Sequence, residues 1–269
     1  MHKISLKDSA CAFVKNTYRH LPLLGHMIKR DVKRQYRGSF LGYVWSILNP
    51  LLTMTVMWIV FSNLFGNREV ENFPVYLFIG QMFFSFVVSA TNAGMRSITG
   101  NADLLTKTPV PKYIFPIANI TSAAVTFLFS LGAFLIVLLV TRTQINFSVL
   151  FFPVVVIQAY LFSLGLGFIL ATGNVFFRDI SHLYGVFTTA WMYFTPIFYV
   201  LEDLPWEMQF LVSNLNPAYY FIKQSRMIFL EGLMPTTGLI LKGFGSAFVM
   251  VLIGLLIFRK TQDKFILHI

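Results

Sequence analysis

Five charge-free runs, 38–67, 72–95, 113–141, 143–177 and 180–201, decide what this chain can fold into. Each reaches or exceeds the roughly 20 residues that carry a helix across a bilayer. A further run, 232–258, is broken only by Lys242. In hydrocarbon a helix satisfies its own backbone, whereas an open sheet edge does not. The ten-residue apolar–polar rhythm of a transmembrane barrel is missing. Charged residues make up 12% of the 269, about half the roughly 25% of a soluble domain. The sequence predicts an all-α integral membrane protein, one domain over residues 1–269, with six spans. They are placed at about 40–65, 74–96, 113–140, 148–175, 183–200 and 236–258.

Lys29, Arg30, Lys33, Arg34 and Arg37 stand directly before the first run, and Arg68 is the next charge. A basic collar on the lip of a span holds that end in the cytoplasm. With six spans and an inside start, both termini are cytoplasmic. The inner pieces then hold 16 of the 21 Lys and Arg but only five of the 11 acids. The net charge of +10 is therefore positive-inside bias and not the footprint of a nucleic-acid binder. Leu21–Ile28 has no small-residue cleavage pattern, so the first span is expected to act as the insertion signal. Cys11, the single cysteine, excludes a disulfide framework.

From Leu21 to Arg37 the chain reads as an amphipathic helix, with Leu24, Ile28, Val32 and Tyr36 at four-residue steps and cations opposite. It lies in the headgroup layer or is a solvated juxtamembrane charge run. Gly38 and Gly42 form either a close-packing GxxxG or a bend. In the inner connection NADLLTKTPVPK, Asn101 is expected to cap a short helix over Asp103, Leu104, Leu105 and Lys107, stopped by Pro109 and Pro111. That helix is a docking peg for a soluble partner or an ordinary loop. Ser163, Gly167 and Ala171 make a small-residue ridge on the fourth span. Pro196 is a kink candidate in the fifth. Two apolar pieces of 11 to 13 residues, 204–214 and 218–230, are too short to span and read as re-entrant or interfacial segments. Lys242 snorkels outward or faces a polar cavity.

Catalytic motifs are missing. There is no GxxxxGK[ST] to cradle nucleotide phosphates, no HExxH and no GxSxG. Acidic residues sit almost wholly in loops, so no carboxylate relay marks a proton-coupled carrier, and the energy for any transport must come from elsewhere. Aromatic residues reach 17%. Most are lipid-facing bulk, but Phe83, Phe84 and Phe86, or Trp191, Tyr193 and Phe194, are also candidates to line a path along which sugar C–H faces slide.

RGSFLGYVWSILNP (37–50), NVFFRDI (174–180), MYFTPIFY (192–199) and the NP…YYFI of 216–222 resemble the membrane-spanning subunit of ATP-binding-cassette exporters of lipid-linked cell-surface polysaccharides. That group includes the O-antigen, teichoic acid and rhamnose-polymer exporters, and the likeness covers nearly the whole chain. It implies a homodimer in the bacterial cytoplasmic membrane above two copies of a separate ATPase subunit, which binds ATP and Mg²⁺; this chain would hold no cofactor. By resemblance, 21–37 is the interface helix, 101–109 the coupling helix, and 204–230 the outer helices that cap the channel. The implied cargo is a polymer on undecaprenyl pyrophosphate, whose headgroup the collar would attract. An exporter of a small drug or lipid is the alternative. A membrane-embedded glycosyltransferase is a weaker one, for want of an acidic cytoplasmic nucleotide-sugar site.

Overall fold

The computed structural model describes residues 20–35, 37–38, 41–64, 72–108 and 110–268, and every regular element among them is helical. In chain order these are α1 (Leu21–Gln35), α2 (Trp45–Leu64), α3 (Phe73–Met95), α4 (Ala102–Lys107), α5 (Ile114–Val140) and α6 (Phe152–Phe176). There follow α7 (Ile180–Phe194), α8 (Trp206–Leu215), α9 (Pro217–Arg226), extended by a π turn over Met227–Glu231, and α10 (Thr237–Thr261). Of these, α2, α3, α5, α6 and α10 are long and apolar enough to cross a membrane. Pro74, Pro153 and Pro217 sit in the first turns of α3, α6 and α9, where a missing N–H costs no intrahelical bond.

The fifth charge-free run departs from expectation. Helix α7 has 15 residues, about 22 Å of rise against about 30 Å of hydrocarbon. Thr195 is extended, with φ −94° and ψ 129°, because Pro196 bars the helical region to the residue before it. Pro196 therefore ends the helix instead of kinking it, and 195–199 are bends.

The two short apolar pieces form a helical hairpin, α8 and α9, whose tip is buried. Asn216 is 1% exposed. Its Oδ1 accepts from the Ala218 N–H (3.1 Å), which caps α9, and from Trp191 Nε1 (2.9 Å). Its Nδ2 donates to Thr195 Oγ1 (2.9 Å). From that tip α9 climbs antiparallel to α6. Phe221 stacks near Phe162, Gln224 bonds to Gln158 (2.8 Å), and Ser148 Oγ donates to the Ile228 carbonyl (3.1 Å).

Helix α6 is the mast of the bundle, packing on α3, α5, α9 and, most extensively, α10. A Cβ on Gly165 would lie 2.2 Å from the Met250 carbonyl carbon, and one on Gly254 would lie 2.3 Å from the Gly165 carbonyl oxygen. The two backbones thus touch. Ser163, Gly167 and Ala171 are buried as the sequence suggested, but a Cβ on Gly167 would meet Ile120 of α5 at 2.5 Å. At Gly167 that ridge receives Ile120 of α5 and Gly94 of α3, and Gly165 receives α10. Gly38 and Gly42 have φ of +84° and +49° and open space around them, so they make a bend and no helix seam.

One end of the bundle has its own small core. Met27 of α1, Leu105 of α4, Phe115 of α5, Phe168 of α6, Phe258 of α10 and Phe265 of the turn beyond it cluster there. We call this the basic end, because Lys29, Arg30, Lys33, Arg34, Arg96, Lys107 and Arg178 surround it.

Gly165→Val or Gly254→Val is expected to force α6 and α10 apart, at about 1–3 kcal/mol or more for overpacking. Gly245→Ala, on α10 with nothing within 4 Å, is expected to be neutral. Thermal unfolding of the detergent-solubilised protein, read by loss of the monodisperse peak, distinguishes the two outcomes.

Candidate functional site

At the basic end, α4 is fastened on one side and open on the other. Leu105 is buried and Leu104 packs half-buried on the same cluster, while Asp103, Thr106 and Lys107 are exposed. Asn101 precedes the helix but makes no side-chain cap to it. Its Oδ1 instead accepts from Arg30 Nη2 (3.2 Å), and its Nδ2 donates to the Ser97 carbonyl (2.8 Å). The amide expected to cap α4 thus ties α1 to the α3–α4 connection. Pro109 lies outside the described residues.

Helix α1 turns a stripe of Leu23, Leu24 and Met27 onto this protein core, so its apolar face is met by α5 and its neighbours as well as by any headgroup layer. Tyr36, the last expected member of the stripe, lies outside the described residues. Lys29, Arg30, Lys33, Arg34 and Arg37 are exposed. Of these, Arg30 also pairs with Asp31 (2.8 Å). At the far end of α1, Gln35 Oε1 accepts from Thr126 Oγ1 of α5 (3.1 Å).

That bond stands beside a cavity of about 830 Å³ between α2, α3 and α5. Each helix turns polar groups at three- or four-residue steps into it: Ser46, Asn49 and Thr53 from α2, Gln81, Ser85 and Ser89 from α3, Thr126 and Ser130 from α5. Ser85 and Ser89 are the only exposed residues in the whole of α3. Trp45, Phe78, Phe86 and Phe127 supply aromatic surface. A second cavity of about 420 Å³ shares Gln35, Ser89, Ala123 and Thr126 with the first and adds Asp31, Arg34, Asn119 and Ser122. The two together form a cleft from the collar to near the middle of α3, since Gln81 lies about 20 Å along the helix from Met95. The sequence reading missed it, although the spacing of Gln81, Ser85 and Ser89 was the available signal.

The aromatic residues expected along a path divide. The structure puts Phe83, Phe84, Phe86 and Trp191 in the core, each 8% exposed or less. Phe83 packs on Phe127 and Phe152, Phe84 on Trp191, and Phe86 on Phe127. They hold α3, α5, α6 and α7 together, and only Phe86 also edges the cleft. Tyr193 is 66% exposed and Phe194 half-buried.

Two cations brace the hairpin. Arg226 is 5% exposed and donates to the carbonyls of Pro196 (2.8 Å), Tyr76 (3.2 Å) and Ile197 (3.3 Å). Its guanidinium carbon lies 3.3 Å from the Tyr76 ring centroid, a cation–π contact. The bends after α7 expose carbonyls that no helix satisfies, and a five-donor fork answers them. Gly80 leaves the room: a Cβ there would meet Arg226 Nη2 at 3.1 Å. Lys242 neither snorkels alone nor faces a cavity, for its Nζ bonds to Asn214 Oδ1 (2.8 Å) and the Ser213 carbonyl (3.3 Å) at the end of α8.

Comparison with known proteins finds a match over residues 22–230, from α1 through the turn after α9. The chain belongs to the ABC-2 type transporter family. This ABC-2 chain is 30% identical over 253 residues to the O-antigen export system permease protein RfbA of Myxococcus xanthus, covering 94% of this chain and 97% of that one. It is 20% identical over 211 residues to the capsule polysaccharide export inner-membrane protein CtrC of Neisseria meningitidis, covering 75% and 77%. With the inner membrane transport permease YadH of Escherichia coli it shares 31% identity over 199 residues, covering 70% and 77%. Family and helices together make it a multi-pass membrane component of a transporter.

Arg226→Met is expected to strand the Pro196 and Ile197 carbonyls of the bend, at about 1–3 kcal/mol for each group left unsatisfied. Limited proteolysis within 195–205 is then expected to speed up, while Arg226→Lys, which keeps the charge but loses the fork, falls between. Unchanged cleavage in the Met variant would remove the bracing role.

Proposed function

We propose that this chain is the permease subunit of an ABC exporter that moves a lipid-pyrophosphate-linked polysaccharide out across the bacterial cytoplasmic membrane. The observation that carries this reading is the near end-to-end similarity to an O-antigen export permease. Relatives named for capsule polysaccharide export and for O-antigen export in Klebsiella pneumoniae support the same class of cargo. The polar side chains that the cleft sets among its apolar walls give a sugar hydrogen-bonding partners that an apolar drug or lipid would not use.

In this reading the basic end faces the cytoplasm, as the distribution of Lys and Arg requires. Helices α7 and α9 belong to a broken fifth crossing, in which α8 and α9 dip in from the outer side and return, giving six spans and two cytoplasmic termini. Asn216, Arg226 and Lys242 supply the internal partners that irregular backbone needs at that depth. Two copies assemble about a common axis on two copies of an ATPase subunit, which holds the ATP and Mg²⁺.

The exposed side of α4, with Asp103, Thr106 and Lys107, is the docking face. Closure of the ATPase pair pushes α4. The push passes to α1 through the shared core of Met27 and Leu105 and through the Arg30–Asn101 bond. From α1 it reaches the cleft through Gln35 and Thr126. The collar meanwhile gathers the pyrophosphate electrostatically, an attraction of about 1 kcal/mol per cation near an anionic surface.

Deleting the gene in its native host is expected to abolish surface polysaccharide and leave lipid-linked polymer inside, and inactivating the ATPase should do the same. Complementation with Arg34→Glu plus Arg37→Glu is expected to restore the chain to the membrane but not full surface polymer. Normal surface polymer in the deletion strain would end the reading; normal polymer in the double variant would remove the collar from it.

Asp103→Lys with Lys107→Glu is expected to reduce co-purification of the ATPase tenfold or more at unchanged membrane yield. Leu104 is a poorer test, because it is half-buried and its substitution disturbs the small core. Undiminished co-purification would move the docking face elsewhere.

A further inference from the structure

The strongest feature that the transport reading leaves unassigned is the cleft between α2, α3 and α5. We infer that it is a saccharide site within a single protomer, taking the sugars next to the lipid pyrophosphate. This rests on the lipid-linked polysaccharide reading and adds a place and a chemistry to it.

The lining is rich in acceptors. Ser89 Oγ donates to the Phe86 carbonyl (3.0 Å), Ser130 Oγ to the Phe127 carbonyl (2.7 Å) and Thr126 Oγ1 to Gln35 (3.1 Å). Their protons are committed, and each hydroxyl oxygen keeps acceptor capacity. Ser85 Oγ accepts from Gln81 Nε2 (3.1 Å). Among the described residues, Gln81 Oε1 and, in the adjoining cavity, Asn119 Oδ1 are enclosed with no hydrogen-bond partner. Buried amide oxygens without donors are costly, and two of them beside one cleft call for a ligand that brings donors. A polyol does so.

The rest of the lining agrees. Trp45, 41% exposed, offers aromatic surface for the C–H face of a pyranose ring, and the edges of the buried Phe78, Phe86 and Phe127 back the wall behind it. Arg34 stands in the second cavity, at the collar end, where the pyrophosphate next to the first sugar would lie. A volume of about 830 Å³ falls in the range of small-ligand sites, about 300–1,000 Å³. An acyl tail would leave nine polar side chains of the larger cavity facing hydrocarbon.

The test uses the permease–ATPase complex in nanodiscs with Cys11→Ser as background. Ser85→Cys reports the depth of the cleft and Ala93→Cys its mouth, each read as the rate of labelling by a water-soluble maleimide. The probes are farnesyl diphosphate and farnesyl diphosphate carrying a disaccharide. The disaccharide probe is expected to slow labelling at Ser85→Cys tenfold or more. The sugarless probe is expected to slow Ala93→Cys while changing Ser85→Cys less than twofold. Adding Gln81→Leu is expected to weaken the deep protection about tenfold and Gln81→Asn less.

Equal protection by both probes would make the cleft a lipid site and overturn the inference. So would protection by neither. A Ser85→Cys that resists labelling and cross-links to its counterpart in a second copy would make the cleft a protomer seam, and the saccharide site would fall with it. The deletion strain separates the two readings: lost surface polymer with an unprotected Ser85→Cys sinks the saccharide site alone, whereas normal surface polymer sinks the export reading.

Discussion

Backbone contact between α6 and α10 at Gly165 and Gly254 is the constraint on which the remaining architecture depends. Without a hydrophobic drive between helices in lipid, association rests on close packing, and small residues allow it. With α10 laid against it, α6 becomes a fixed post for α3, α5 and the α8–α9 hairpin. Helices α2 and α7 touch that post little or not at all. Among the described side chains of α2 only Ser46 and Met54 are buried, and α7 meets the bundle mainly through Tyr184, Thr188 and Trp191. The structure thus divides into a rigid block and two peripheral helices. The cleft lies between the block and one of them.

A helix stopped by proline leaves the carbonyls of the following bend without helical partners, and buried side chains supply them. Pro196 stops α7. Arg226 then collects the carbonyls of Pro196, Ile197 and Tyr76, while Asn216 joins the end of α7 to the hairpin tip through Trp191 and Thr195. Lys242 holds the last turn of α8 to α10. These bonds link the α8–α9 hairpin to α3, α7 and α10 at once, so it packs as part of the bundle and not as a separate flap.

Five of the six expected spans were legible because length without charge is a one-dimensional signal. The same holds for α1, whose cations and apolar stripe alternate, and for α4, bracketed by Asn101 and the prolines. Pro196 was visible too, but whether it kinks or ends a helix depends on what accepts the chain afterwards, and Arg226 does that from 30 residues away. The roles of Phe83, Phe84 and Phe86 were illegible for a related reason: in an apolar helix every face reads alike, and only the position of α5 and α6 decides which is inside. Asn101 had two possible partners, and Arg30 won over the helix end. The cleft needed three helices in register before serines and threonines that look incidental on each became one surface.

In the proposed export reading, that surface is built for the weak grip a conduit requires. A cargo passing many repeats cannot be gripped tightly, since passage needs binding strong enough for entry and weak enough for release. Hydroxyl and amide acceptors in contact with water contribute only about 0.5–1.5 kcal/mol each, and aromatic faces hold sugars without fixing their register. The cleft has α2 on one side, α3 and α5 on the other, and Gln35 of α1 bonded into its lining. In the proposed reading, a shift of α1 driven from α4 would change its width, so grip and release would need no charge or covalent step inside the membrane.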